Sequence, residues 1–547
     1  MDSETGVSNK EYTVLFFPSL TAARFQRPSM MASVSDLRTL YPSFDQNPTQ
    51  YLATTSHGRS ARDRLVKCMG DLFVADREKH NIPVRDISAA GKVDKYNIPN
   101  DDKLKKTLGG VPTSGTSNIS TEDITSPFNP DAKCRFVHLC AETTVGRLEL
   151  NIRMLLRLVT FYQVMPQFLD FLHVYASRHS RDRELRFSGF RTDKTLTDPV
   201  DGAMIPELGR SGRRYQLCFN LKTVSPKDGG DWKIRQAVFH HQFDLGQGTQ
   251  LWIIGDPHAT LKKRIVDLFP EWNLYPTSFS TVQQGFATSL EVNLDFAQWA
   301  TSEWRWHILF LEERAEELTK PARIREKVHI EKLEPESLSD VQKWEEKTND
   351  TIMAMESNVN IMRLQQKFYQ DLVKDDNFPQ REQEKCRKNV ECYVSHLEEL
   401  ICETQMQITR ANILVKTVGD RKTILIQHLQ TQNAIIASKL TATMYEQADR
   451  SAVETIAVRI VTIVTLIYLP ATFSSTFFST DIIKFENGEV FSQVALERFL
   501  QVTLPLMFLT FFSAGLWFWM EWRKRAHRSR RFKIEYSDIF PQDEEKV

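Results

Sequence analysis

Apolar and polar positions along this chain fall into three regimes. Up to about residue 100, aromatics and prolines are scattered without a sustained period, so region 1–102 carries no fold assignment. The stretch 103–131, which includes Gly109-Gly110-Val111-Pro112-Thr113-Ser114-Gly115, reads as a flexible linker. Periodicity begins after it. Phe136 to Leu139 predicts a strand. Leu148, Ile152, Leu155, Leu156, Val159 and Tyr162 recur at helical spacing, with Arg147, Arg153 and Arg157 off that stripe. This predicts an amphipathic helix that stops near Pro166 and covers a sheet. The sheet is legible from Tyr215, where Tyr215, Leu217, Phe219 and Leu221 alternate strictly. Pro226-Lys227-Asp228-Gly229-Gly230 supplies turn chemistry before Ile234–Phe243 and then Leu251–Ile254, which predicts an antiparallel meander. Phe296, Trp299, Ile308 and Leu311 mark a further helix, making 132–320 a mixed α/β domain.

The second regime, 338–455, is a helical stalk or coiled-coil region. Pro379 ends its first helix, and Gln380 to Leu469 holds no proline, enough for about 135 Å of helix with Gly419 its weak point. Leu425, Leu429, Ile436, Leu440 and Met444 place one apolar stripe on that helix, which therefore wants a partner along its length.

The third regime is two uncharged runs, Ile460–Thr480 and Phe499–Met520, of 21 and 22 residues. A helix of about 20 residues crosses the hydrocarbon core. They predict transmembrane helices at 456–480 and 499–522, joined by an acidic loop, 481–498, and followed by a basic then acidic tail, 523–547. Trp517, Trp519 and Trp522 sit where the second span leaves the bilayer. The run from Arg523 to Arg531 faces a loop holding Asp481, Glu486, Glu489 and Glu497 against only Lys484 and Arg498. Both termini are therefore expected in the cytosol, in a multi-pass membrane protein.

Composition changes little. The 70 basic and 70 acidic residues cancel, so no nucleic-acid partner is called for, and the mean hydropathy of −0.37 conceals the apolar end. The first residues lack a secretory signal. Seven cysteines without a Cys-x-x-Cys pair read as reduced thiols. Enzyme motifs are near-misses: Gly246-Gln247-Gly248 lacks the third glycine of a dinucleotide loop, and the Gly110–Gly115 spacing lacks the phosphate-loop lysine. His240 and His241, adjacent on a strand, point to opposite faces and do not share a metal. The first span carries Thr462, Thr465, Thr472, Thr476 and Ser479 near whole helical turns. They either line a water-filled path or bond their own preceding carbonyls, with Pro470 freeing the carbonyl of Leu466.

The run Tyr468-Leu469-Pro470-Ala471-Thr472-Phe473-Ser474-Ser475-Thr476-Phe477-Phe478-Ser479-Thr480-Asp481 and Pro505 in the second span resemble the signature of the CorA family of divalent-cation transporters. Upstream, Trp232-Lys233-Ile234-Arg235-Gln236 and His241-Gln242-Phe243-Asp244 resemble the soluble domain of its fungal branch. The resemblance, over roughly 130–525, implies an α+β membrane protein with a cytosolic α/β/α domain, a long helical stalk and a two-helix C-terminal hairpin, assembled as a homopentamer. It implies an oligomeric pore for Mg²⁺ or another divalent cation, transported or regulatory, and no enzyme. Carried over by position, Val458 and Val461 form an apolar constriction, Leu469 and Thr472 mid-pore rings and Ser479 the outer end, with Thr465 and Thr476 also lining the pore. Where the family has Gly-Met-Asn, this chain has Ser479-Thr480-Asp481, and a ring of Asp481 carboxylates would hold a cation directly. The alternative is a non-transporting scaffold or receptor that keeps the fold.

Overall fold

A computed structural model describes residues 41, 44, 56–109, 129–141, 143, 146–176, 185–197, 204–227, 229–257, 261–265, 279–323, 335–479 and 493–539. The chain divides into two compact units, Met1–Gln427 and His428–Val547.

In the first unit the strictly alternating segments pair as their pattern demands. Strands β1 (Ile82–Ile87), β2 (Val93–Ile98), β3 (Cys134–Ala141), β4 (Phe190–Thr195), β7 (Arg214–Pro226), β8 (Trp232–Asp244) and β9 (Gln250–Pro257) form one sheet in the order β2-β1-β3-β9-β8-β7-β4. A small ribbon, β5 (Met204–Ile205) with β6 (Arg210–Ser211), lies apart from it. The expected meander is present: β7–β8 and β8–β9 are antiparallel, with Phe219 opposite Phe239 and His240 opposite Ile253. Among the described strands only β3 and β9 pair in parallel, with Phe136 opposite Trp252.

Alternation then sorts side chains into two cores. Val137, Val238, Leu251 and Ile253 pack with helices α3 (Ile152–Tyr162) and α4 (Phe168–Leu172). Phe136, Phe219, Phe239, Trp252 and Ile254 pack with α5 (Val282–Thr301), α7 (Pro335–Val373) and the start of α8 (Gln380–Ser479). Each fully buried aromatic contributes about 1.5–3 kcal/mol over leaving it in water. The result is the three-layer α/β/α arrangement expected. Helix α3 starts at Asn151, whose side chain accepts from the Met154 amide at 2.9 Å, and ends at Tyr162 before left-handed Gln163, φ 51°. Helix α5 opens with a reciprocal cap between Thr281 and Gln284.

Three features differ from the sequence reading. The region left unassigned, 1–102, supplies α1 (Ser56–Lys67) and the two strands β1 and β2 at one end of the sheet. Strand β1 was hidden because Pro83, Arg85 and Asp86 break its apolar pattern; Asp86 is held by Arg135 of β3 through two bonds of 2.6 Å and accepts from the Tyr96 hydroxyl at 2.8 Å. The expected linker begins as helix α2 (Asp101–Leu108), capped by Asn100, acidic in its first turn and basic in its last, and ended by Gly109 at φ 81°. Residues 110–128 of that linker lie outside the described residues. The single helix expected through Phe296 and Leu311 is two, α5 and α6 (Trp304–Leu318). At the break, the carbonyl of Trp299 accepts from Thr223 Oγ1 at 2.9 Å and that of Ala300 from Trp304 Nε1 at 2.6 Å and Asn358 Nδ2 at 3.2 Å.

Helices α7 and α8 are separated where Pro379 predicts, and α8 passes Gly419 unbroken. Asn358 of α7 binds the backbone of Lys222 on β7 from both sides, accepting from its N–H at 2.9 Å and donating to its C=O at 2.6 Å.

In the second unit, α8 continues to Ser479 and α9 runs Gln493–Ile539, so the helix begins inside the expected loop 481–498 and continues into the expected tail. Both helices contain a stretch long and apolar enough to cross a membrane.

Candidate functional site

At about 100° per residue, Val458, Val461, Thr465, Leu469, Thr472, Thr476 and Ser479 fall within an arc of about 80° on α8, and span about 31 Å at 1.5 Å per residue. Every one of them is exposed; Val458, Val461 and Leu469 are 65%, 61% and 69% exposed. The covered face of this segment is elsewhere. Pro470 and Ser474 are buried, as is Thr503 of α9, and both Pro470 and Ser474 lie about 140–180° from the centre of that arc. Among the described residues the opposite side is covered only at Pro470 and Ser474; Ile460, Ile463 and Ile467 on that side are 58%, 57% and 43% exposed, and Leu469, Thr472 and Thr476 of the arc border a groove shared with Leu506 and Thr510 of α9.

The hydroxyls on this face have a defined orientation. Thr472 Oγ1 donates to the Tyr468 carbonyl at 2.9 Å, Thr476 Oγ1 to that of Thr472 at 2.7 Å, and Ser479 Oγ to that of Thr476 at 2.9 Å. Thr465 Oγ1 donates to Thr462 O at 2.9 Å, and Thr462 Oγ1 to Val458 O at 2.7 Å. Of the two readings open from the sequence, the geometry has the self-bonded one. It does not remove the other: each hydroxyl has one proton and two lone pairs, so a proton turned inward leaves oxygen lone pairs outward, which suits a cation or the hydrogens of its hydration water.

Sequence reasoning treated the stalk stripe and this face separately. Leu429, Ile436, Leu440 and Met444 share the same arc, widened to about 100°, as do Gln447, Ser451 and Glu454 between them and Val458. The signal was the unbroken three-and-four spacing from Leu429 to Ser479. Ile436, Leu440 and Met444 are 55%, 61% and 62% exposed. Leu425 belongs to the first unit and is buried in it. Thr480 and Asp481 lie outside the described residues. Among the described residues no group of three or more metal-binding side chains is gathered.

The adjacent histidines of the sheet unit are buried in it. His240 and His241 do point apart, as their adjacency requires: His240 Nε2 lies 3.0 Å from Gln216 Oε1 with its ring against Phe168, while His241 stacks on Trp252 at 3.8 Å. Burial lowers the His240 imidazole to about 3 and that of His241 well below its ordinary value; His138 is lowered to about 3 and His307 to about 4 for the same reason. A polar cavity bordered by Arg135, Arg210, Arg214, Asp131 and Asp244 measures about 20 Å³, room for about one water. Arg210 there is already paired with Asp131 at 2.6 Å and Arg135 with Asp86.

The chain thus has an α/β/α unit followed by long helices, two of which contain a stretch long and apolar enough to cross a membrane. The chain belongs to the CorA-like transporters, whose family profile matches residues 36–323. The match starts within the region unassigned from sequence and stops short of α7, so the uncovered face of α8 lies beyond it. Solved structures similar to this chain include the CorA magnesium transporter of Methanocaldococcus jannaschii, at 11% identity and a TM-score of 0.32, covering 79% of this chain and 96% of that one. Another is the full-length CmaX protein, at 11% identity and a TM-score of 0.32, covering 83% of this chain and all of that one. No curated protein matches the chain.

Proposed function

We propose that several copies of this chain, five by resemblance to the family, assemble in a lipid bilayer with the Val458–Ser479 face of α8 turned to a shared axis, forming a pore for Mg²⁺ or another divalent cation. The observation that carries this reading is the exposed arc of regularly spaced Val, Thr and Ser along α8. Val458 and Val461 form the apolar constriction, which excludes a hydrated ion until the helices move apart. Leu469 and the hydroxyl positions Thr465, Thr472, Thr476 and Ser479 form the rings beyond it. Asp481 stands at the mouth as a carboxylate ring that attracts a cation and ligates it. Both termini face the cytosol, and 481–498 faces the other side. In this reading 338–455 is the stalk, and 456–480 and 499–522 are the spans.

Purified protein in liposomes should carry Mg²⁺, Zn²⁺, Co²⁺ or Ni²⁺ down an inside-negative potential. Val458→Ser with Val461→Ser should raise resting flux about tenfold, and Asp481→Asn should lower cation affinity. The second reading, a non-transporting scaffold, is favoured by Ser479-Thr480-Asp481 standing in place of Gly-Met-Asn, and absence of flux for all four ions would select it.

A further inference from the structure

The part of α8 inside the first unit has a sharply divided circumference. Cys386, Val390, Tyr393, Leu397 and Ile401 are buried in the sheet-side core, none more than 3% exposed. About 140° round from them, on the solvent side, Cys392, His396, Glu399 and Glu403 follow one another within an arc of about 60° and are all exposed. Two of these are soft ligands. Cys392 Sγ lies 3.6 Å from His396 Nδ1, four residues on.

That separation is informative. A zinc ion bound at about 2.3 Å from a thiolate and 2.0–2.1 Å from an imidazole nitrogen, at the tetrahedral angle, sets those two atoms about 3.5–3.6 Å apart. The separation of the pair thus matches the bite of a tetrahedral metal. Cys402, the other exposed cysteine of this helix, offers no such bite; its Sγ lies 3.9 Å from a carboxylate oxygen of Glu398, on a different side of the helix.

We propose that Cys392 and His396 form a surface site for a soft divalent cation of the Zn²⁺ or Co²⁺ class, completed by water and by the Glu399 carboxylate one turn further along the same face. No third ligand is gathered before binding, so it is a chelating pair closed by the metal. Thiolate and imidazole prefer such ions to Mg²⁺, whose ligands are oxygens. The site is independent of the pore reading: a protein that conducts nothing keeps it, and a conducting pore does not need it.

Co²⁺ titration of the full-length, detergent-solubilised, reduced protein tests it. The expected result is a thiolate-to-cobalt charge-transfer band in the near ultraviolet, displaced by Zn²⁺ and retained in a large excess of Mg²⁺. Cys392→Ser should abolish the band and His396→Ala should weaken binding at least tenfold, while Cys402→Ser leaves both unchanged. Because Cys392 is exposed, its serine variant should unfold at the same temperature as the parent. No band in the parent protein, a band that survives Cys392→Ser, or one lost in Cys402→Ser would overturn the proposal and leave the Cys392–His396 contact as an ordinary hydrogen bond.

Discussion

The two units use the same residue types to opposite ends. In the sheet unit, Phe239, Trp252 and Tyr215 are inaccessible to solvent, and even Lys222 is fully buried, its ammonium donating to the Phe187 carbonyl at 2.8 Å while burial lowers it to about 8. In the helix unit, Leu440, Val458, Val461 and Leu469 are more than 60% exposed. The first sequence is satisfied by its own chain. The second leaves that surface open, and in the function proposed above lipid around the spans and further copies along the stripe would cover it.

The sharpest way to break this contrast is a cavity in the sheet unit. Phe239 stacks on Phe219 at 5.0 Å and meets Phe296 at 4.5 Å, so Phe239→Ala should cost about 3–5 kcal/mol, read as a lowered denaturant midpoint. Acid should act next. His138, His240 and His307 are depressed by burial from 6.5 to about 3, 3 and 4, so below about pH 6.5 the unfolded chain takes up protons that the folded chain refuses. Stability present above pH 6.5 is then lost as pH falls toward 3–4, by about 2 kcal/mol for each histidine at pH 5. A sheet unit no less stable at pH 5 than at pH 7 would contradict it. Asn358→Ala, which strands the N–H and C=O of Lys222, should cost about 1–3 kcal/mol by the same measurement. The smallest effect on folding, under about 0.5 kcal/mol, is expected for Ile436→Ala with Leu440→Ala, since both side chains are exposed, at 55% and 61%. If the stripe holds copies together, that variant should nevertheless shift crosslinked protein from oligomer toward monomer.

Legibility from sequence followed the same divide. The meander from Tyr215 to Ile254, helix α3 and the break at Pro379 were readable because one face of each element is buried and the period shows it. Strands β1 and β2 were not, since Asp86 on a buried strand makes sense only beside Arg135, 49 residues away. The α5–α6 break is likewise set by Thr223 and Asn358, which lie far along the chain from it. On α8, the positions of the candidate face were readable from spacing, whereas the direction of the hydroxyl protons and the groove shared with Leu506 and Thr510 of α9 were not, because periodicity describes a helix without saying which neighbour it meets.

Strand β4 pairs with β7 only as far as Phe219, and beyond that point the outer margin of β7 has no partner strand among the described residues. The amide of Asn358 occupies both ladder positions of Lys222 there, and that of Asn220 is engaged by Gly189 and Phe187. At Lys222, therefore, that margin of β7 offers no free ladder group to an incoming strand, which removes one template for edge-to-edge aggregation.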